Sequence, residues 1–231
     1  ALGRLLDVLD RHDLWTNTVV ILTTDHGTFN GDHGRVGKLQ THEFDACGHI
    51  PFILAHPNLA HGERRAQLVQ LVDIFPTVLS AVGRPLPEMP ADRPLHGVDL
   101  LPVLADDQAP TRDYAVAGQF GQSVTITDGD WVLHQAPVPG NQPLYWYGHC
   151  QARFLGETPQ DYIDGRRHCP QHYWWGTPTW LSDKREDPNE LHNLAAQQPA
   201  RLAAMQQALK TTLTRLQTPP EQLERLGLSH A

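Results

Sequence analysis

Val19-Val20-Ile21-Leu22-Thr23-Thr24-Asp25-His26-Gly27 reads as an apolar strand that stops at a polar corner. The continuous β-branched run, bounded by polar turns, predicts a strand buried on both faces of a parallel sheet. Just upstream, Leu2, Leu5, Leu6 and Leu9 fall at helical spacing, so residues 1–12 read as an amphipathic helix ending near His12-Asp13. Helix followed by buried strand is the rhythm of an α/β fold. The leucine stripe begins in the first turn with no initiator Met or cap before it, so the chain is expected to be a fragment that starts inside a helix.

Open α/β sheets bind ligands beyond the carboxyl ends of their strands. At this end Asp25 offers a hard oxygen for Ca²⁺ or Mg²⁺, and neutral His26 also suits Mn²⁺ or Zn²⁺. Neighbouring strand residues point to opposite faces, so both reach one ion only if the strand breaks, which Gly27 permits. The plain alternative is that Asp25 caps a turn and His26 is a satisfied polar residue. Two ligands do not complete a metal site, so others are expected from elsewhere. Gly31-Asp32-His33-Gly34 and Gly37-Lys38 follow closely. Lys38 is a compact cation suited to a tetrahedral anion or a developing negative charge. His33 and His42 flank it, and either imidazole suits a general acid at the leaving-group oxygen. Solvated loop histidines are the alternative reading for both, and Glu43 carries the same ambiguity.

Further on, Ile50-Pro51-Phe52-Ile53-Leu54-Ala55 predicts the next strand, and Asp73 predicts the N-cap of a helix that Gly83 terminates. Residues 84–113 hold six of the 19 prolines and read as an ordered linker. Residues 114–136 predict a small antiparallel sheet turning at Thr127-Asp128-Gly129-Asp130, and 137–180 an aromatic-rich insertion. Leu202, Met205, Leu209, Leu213 and Leu216 form the stripe of a last helix packed on a core. The division expected is an α/β part over 1–110 carrying the site, and a C-terminal subdomain over 111–231.

The order of these motifs resembles the sulfatases and the related phosphonate monoester hydrolases of the alkaline phosphatase superfamily. The resemblance rests on Thr24-Asp25-His26-Gly27, Gly31-Asp32-His33-Gly34, Gly37-Lys38, His49-Ile50-Pro51-Phe52-Ile53-Leu54, Val72-Asp73-Ile74-Phe75-Pro76-Thr77-Val78-Leu79, Gly97-Val98-Asp99-Leu100-Leu101-Pro102 and Glu186-Asp187-Pro188-Asn189-Glu190-Leu191-His192-Asn193-Leu194. It covers about residues 1–135 and 180–217. It implies Asp25 and His26 as metal ligands and Lys38 as a catalytic and substrate-binding residue. His33 is the candidate general acid and His42 a candidate substrate contact. The implied fold is a mixed sheet flanked by helices, truncated at its N-terminal side, with a small C-terminal antiparallel sheet plus helix. The implied reaction is hydrolysis of a sulfate ester with a divalent cation, Ca²⁺ first, Mg²⁺ or Mn²⁺ as alternatives. A phosphate or phosphonate monoester hydrolase and a non-catalytic metal- or anion-binding relative are the other readings.

The family's nucleophile lies in Cys/Ser-x-Pro/Ala-x-Arg, and neither Cys47, Cys150 nor Cys169 fits that motif. Formylglycine is therefore expected only in a missing N-terminal part, and the isolated chain is expected to be inactive and poorly soluble. His49 stands where many relatives have arginine and is given no role. His149-Cys150 and His168-Cys169-Pro170-Gln171-His172 match no common zinc spacing, and the aromatics around them read either as a substrate entrance or as packing.

With 18 basic against 26 acidic residues, the net charge of −8 argues against nucleic acid and anionic membranes as partners, but not against a small anionic ester. No apolar run is long enough to span a bilayer. Three cysteines point to a reducing, cytoplasmic compartment, with a periplasmic full-length protein as the alternative.

Overall fold

The computed structural model describes residues 2–38, 42–59, 62–91, 94–119, 121–147, 166–168 and 177–229. The leucine stripe forms helix α1 (Leu2–Arg11), but only Leu9 is buried, while Leu2, Leu5 and Val8 face outward. The apolar run forms β1 (Val20–Thr23). Its partner is β4 (Phe52–Ala55), with Val20 opposite Ala55 and Thr23 opposite Phe52. The pairing is antiparallel and β1 is half-buried throughout, so the expected doubly buried parallel strand is corrected here. An apolar run reports that a strand is covered, not which way its neighbour runs. Between them lie the short β2 (Phe29–Asn30) and β3 (Val36–Gly37), paired antiparallel, and one turn of helix, α2 (Asp45–Gly48).

Helix α3 (Ile74–Ala81) ends as predicted, with Gly83 at φ 65° and Arg84 N–H returning to the Leu79 carbonyl at 2.8 Å. Its start differs from expectation. The Asp73 carboxylate makes no bond to the helix's own N–H groups. It is fully buried and faces backwards, accepting from Gln70 N–H at 2.7 Å, Val98 N–H at 2.9 Å and both terminal nitrogens of Arg112. One carboxylate thus ties together the turn before α3, the loop before α4 (Leu101–Ala105) and the approach to the second sheet. Gly97 lets that loop press close, since a Cβ there would lie 2.1 Å from the Val72 carbonyl oxygen.

The larger core is C-terminal. Strands β5 (Ala115–Gly118), β6 (Val124–Thr127) and β7 (Trp131–Gln135) form a meander, followed in space by β10 (Trp180–Asp183), all antiparallel. The predicted turn is made by Asp128, whose Oδ1 accepts from Asp130 and Trp131 N–H. Helix α5 (Pro199–Arg215) lays Met205, Leu209 and Leu213 on Ile126, Leu133 and Leu181, and Leu226 and Leu228 close the core after α6 (Pro220–Arg225). Apolar area buried at roughly 25 cal/mol per Å² makes this stripe the main stabiliser of the subdomain. Strands β8 (Tyr145–Tyr147) and β9 (Arg166–His168) pair antiparallel within the aromatic segment. Cys150, Cys169, His149 and His172 lie outside the described residues. No helix among the described residues is long and apolar enough to cross a membrane.

Candidate metal and anion site

Beyond β1 the chain turns on side-chain bonds. Thr24 Oγ1 lies 3.2 Å from both Asp25 Oδ1 and the His26 carbonyl, and His26 N–H donates to Asp25 Oδ1 at 3.0 Å. The Asp25 side chain is 80 % exposed and that of His26 26 %. The Gly27 carbonyl can only accept, so the 2.7 Å contact from His26 Nδ1 fixes the proton on Nδ1. That leaves the Nε2 lone pair facing Asp25 Oδ2, 3.4 Å away. A histidine held this way, with its other nitrogen on a backbone carbonyl, is oriented as metal ligands are. The separation lets both atoms bond one ion at about 2.0–2.6 Å. Desolvation would raise the Asp25 carboxyl, but the His26 ring, when protonated, and the Thr24 and His26 donors outweigh it and hold it below its usual range. The two donors fit a divalent cation; among the described residues no group of three or more His, Cys, Asp or Glu gathers to complete its shell.

Gly27 serves a different purpose from the one expected. Its N–H donates to the Cys47 carbonyl at 2.9 Å, and a Cβ on it would lie 2.1 Å from the Ala46 oxygen. The glycine is there because α2 presses on the backbone at this point. Gly27→Ala is therefore expected to cost about 1–3 kcal/mol by overpacking and to weaken cation binding, read by urea unfolding and Mn²⁺ titration. Wild-type stability in the variant would show that α2 moves aside freely. Burial pushes the Cys47 thiol up, as does nearby Glu43, so it is not a reactive thiolate. Glu43 is itself raised by burial, offset in part by His26.

The loop through β2 and β3 places the other candidates. His33 sits in the left-handed region at φ 51°, between Gly31 and Gly34, which share that region. Its half-buried ring stacks on Phe44 at 3.8 Å and 11° and meets the edge of Phe29 at 6.3 Å. Lys38 is exposed just past β3. No direct bond joins Lys38 or His33 to Asp25 or His26 among the described residues.

His42 is the correction. Expected at the substrate, it is fully buried. Its Nε2 contacts the Pro178 carbonyl at 2.8 Å, which requires the proton there, so Nδ1 accepts from the Ser123 hydroxyl at 2.8 Å. Both nitrogens are satisfied inside the protein and present nothing to an ester. Desolvation drives its pKa down to about 3, helped by the neighbouring His134.

Beneath His42 lies a cluster that the sequence reading did not assemble. The His134 ring stacks on His42 at 4.9 Å, and its Nδ1 lies 2.7 Å from Thr125 Oγ1. Its Nε2 lies 3.1 Å from Oε1 of the buried Glu190, whose Oε2 accepts from Asp45 N–H at 2.7 Å. Lys184 Nζ pairs with the Asp45 carboxylate at 2.6 Å. The one available signal was a histidine within β7, a strand buried at every position.

Residues 1–84 match the family model described as Sulfatase. Arylsulfatase K of Canis lupus familiaris is 29 % identical over 217 residues, 92 % of this chain and 34 % of the relative. N-acetylglucosamine-6-O-sulfatase of Bacteroides thetaiotaomicron is 26 % identical over 195 residues, 84 % of this chain and 29 % of the relative. The chain thus spans about a third of the length of the curated relatives it matches. A structure solved with D-glucosamine-2-N,6-O-disulfate as its substrate superposes with a TM-score of 0.65 at 22 % identity, covering 95 % of this chain and 38 % of that one. The phosphonate monoester hydrolase of Agrobacterium radiobacter superposes at 0.57 with 22 % identity, covering 94 % and 38 %.

Proposed function

We propose that this chain, whose residues 1–84 match the Sulfatase family model and whose fold is shared with solved sulfatases, contributes a cation and anion site to hydrolysis of a sulfate ester. The observation that carries this reading is the Asp25–His26 pair, with His26 Nδ1 committed to a carbonyl and Nε2 turned 3.4 Å from Asp25 Oδ2. These two residues would hold the divalent cation through one carboxylate oxygen and one imidazole nitrogen, Ca²⁺ being put first by the resemblance to sulfatases, with Mg²⁺ or Mn²⁺ as alternatives. When bound, it would supply Lewis-acid polarisation of the sulfuryl oxygens. Exposed Lys38 offsets the charge of the anion as it grows in the transition state. His33, held against Phe44, is the donor to the leaving-group oxygen. The nucleophile, formylglycine in this reading, is supplied by a Cys/Ser-x-Pro/Ala-x-Arg motif that this sequence does not contain.

The test is hydrolysis of p-nitrophenyl sulfate, phosphate and a phosphonate monoester, by this chain and by a polypeptide that joins it to the nucleophile motif. The joined protein should turn over the sulfate best. Lys38→Ala there should lower kcat/KM by about 10²–10³-fold, the scale of losing one preorganised donor. Preference for the phosphonate would move the chain to the related hydrolases, as the superposition at TM-score 0.57 allows. Turnover by the chain alone, lost in Asp25→Ala, would place the nucleophile within these 231 residues.

A further inference from the structure

The run Asp187-Pro188-Asn189-Glu190-Leu191-His192-Asn193-Leu194 has no part in the chemistry above, yet its glutamate reaches the floor of the site. Glu190 stands at φ 56°, a costly backbone for a non-glycine residue, and is 1 % exposed. One carboxylate oxygen accepts from Asp45 N–H, the first residue of α2, at 2.7 Å, and the other lies 3.1 Å from His134 Nε2. From α2, the Cys47 carbonyl holds Gly27 N–H, directly after the Asp25–His26 pair. From His134, an edge contact at 4.7 Å leads to Phe44, on which His33 stacks. The same short helix is held a second time by Lys184 on Asp45. Among the described residues, α2 and Phe44 are thus tied to this segment, to Lys184, to His134 on β7 and to Trp180 on β10.

We propose that Glu190 is a positioning residue, bridging Asp45 N–H and His134 so that α2 and Phe44 hold the Asp25–His26 pair and the His33 ring in place. It touches neither ion nor ester and acts through α2 and Phe44. The proposal rests on the cation-site reading above for its effect on binding, but its effect on His33 is independent of that reading. The geometry predicts how substitutions divide. Glutamine at 190 still accepts from Asp45 N–H and donates to His134 Nε2, provided His134 carries its proton on Nδ1 towards Thr125. Alanine makes neither bond. Aspartate keeps the charge but is one methylene too short to span both partners.

The experiment measures Mn²⁺ affinity by water-proton relaxation, and the imidazole proton resonances by NMR, in the whole chain and in Glu190→Gln, Glu190→Ala and Glu190→Asp. In wild type the His33 signals should carry the ring-current shift of a ring stacked on Phe44. Alanine is expected to abolish that shift and weaken Mn²⁺ binding about 10-fold, the lower end for groups that orient ligands from behind. Glutamine should restore both to within about threefold. Should the alanine variant fail to fold, the aspartate variant reads the same way. A folded Glu190→Ala or Glu190→Asp with wild-type His33 shifts overturns the proposal. Wild-type protein that binds no Mn²⁺ overturns the cation reading instead, and the His33 resonances still decide for Glu190.

Discussion

Asp73→Ala is expected to destabilise the protein by about 3–5 kcal/mol, the cost of breaking a buried ion pair and stranding one charge. The Asp73 side chain is 0 % and that of Arg112 8 % exposed, so water cannot stand in for the lost partner. Gln70 and Val98 N–H would lose their acceptor as well. Asp73→Asn should recover only a small part, because the guanidinium still lacks its counter-charge. Arg112→Ala should cost a similar amount, and the double variant much less than the sum. A paired apolar replacement such as Asp73→Leu with Arg112→Met should recover the part due to the stranded charge, but not the acceptor that Gln70 and Val98 N–H lose. Urea midpoints across this set measure it. A loss below about 1 kcal/mol for Asp73→Ala would mean that solvent reaches the pair, because exposed ion pairs are worth that little.

The second large effect is a loss of stability on mild acidification, centred on His42. In the fold its pKa is about 3 against 6.5 for the free side chain, because burial disfavours the charged ring and His134, Arg35 and His33 add repulsion. The sign follows directly. Below about 6.5 the unfolded chain takes up a proton that the folded chain refuses, so stability is full above that pH and falls as pH drops towards 3. His134 and Glu190 do not add to the slope. Burial pushes His134 down to about 3 and Glu190 up to about 7, so folded they hold one proton between them. Unfolded, between 4.5 and 6.5, they also hold one, on the histidine. His42 itself contributes about 1.4 kcal/mol per pH unit, or roughly 2–3 kcal/mol between pH 6.5 and 4.5, offset in part by Glu43, whose raised carboxyl takes up its proton earlier in the fold. Urea midpoints at about pH 7, 6 and 5 should show it, and His42→Gln, which keeps both hydrogen bonds, should flatten it. An equally steep slope in the glutamine variant would assign the effect to another group.

Much of the secondary structure was legible because its causes are local. The α5 stripe, the Asp128 turn and the Gly83 terminus each follow from residues within a few positions of one another. That Asp25 and His26 stand together just past β1 was legible for the same reason; their role there is the proposal above. What escaped depends on distant partners. The direction of β4 against β1 is written in neither strand. Asp73 sits where an N-cap belongs, but Val98, 25 residues on, and Arg112, 39 residues on, turn its carboxylate the other way. His42 looked like a substrate contact because it follows Lys38, but Ser123 and Pro178 draw it inward from 81 and 136 residues away. Glu190 was visible within a motif, but its partners Asp45 and His134 were not.

The bond from Asp45 N–H to Glu190 spans 145 residues, and that span has a consequence during synthesis. When residues 25–49 leave the ribosome, α2 and Phe44 have only local contacts such as Gly27 N–H to the Cys47 carbonyl and the His33 ring; their distant anchors have not yet been made. Strands β6 and β7 arrive with His134, then β10, then Glu190. At about 5–20 residues per second the loop waits roughly 7–30 s for its last anchor. The chain therefore makes this corner early and sets it late.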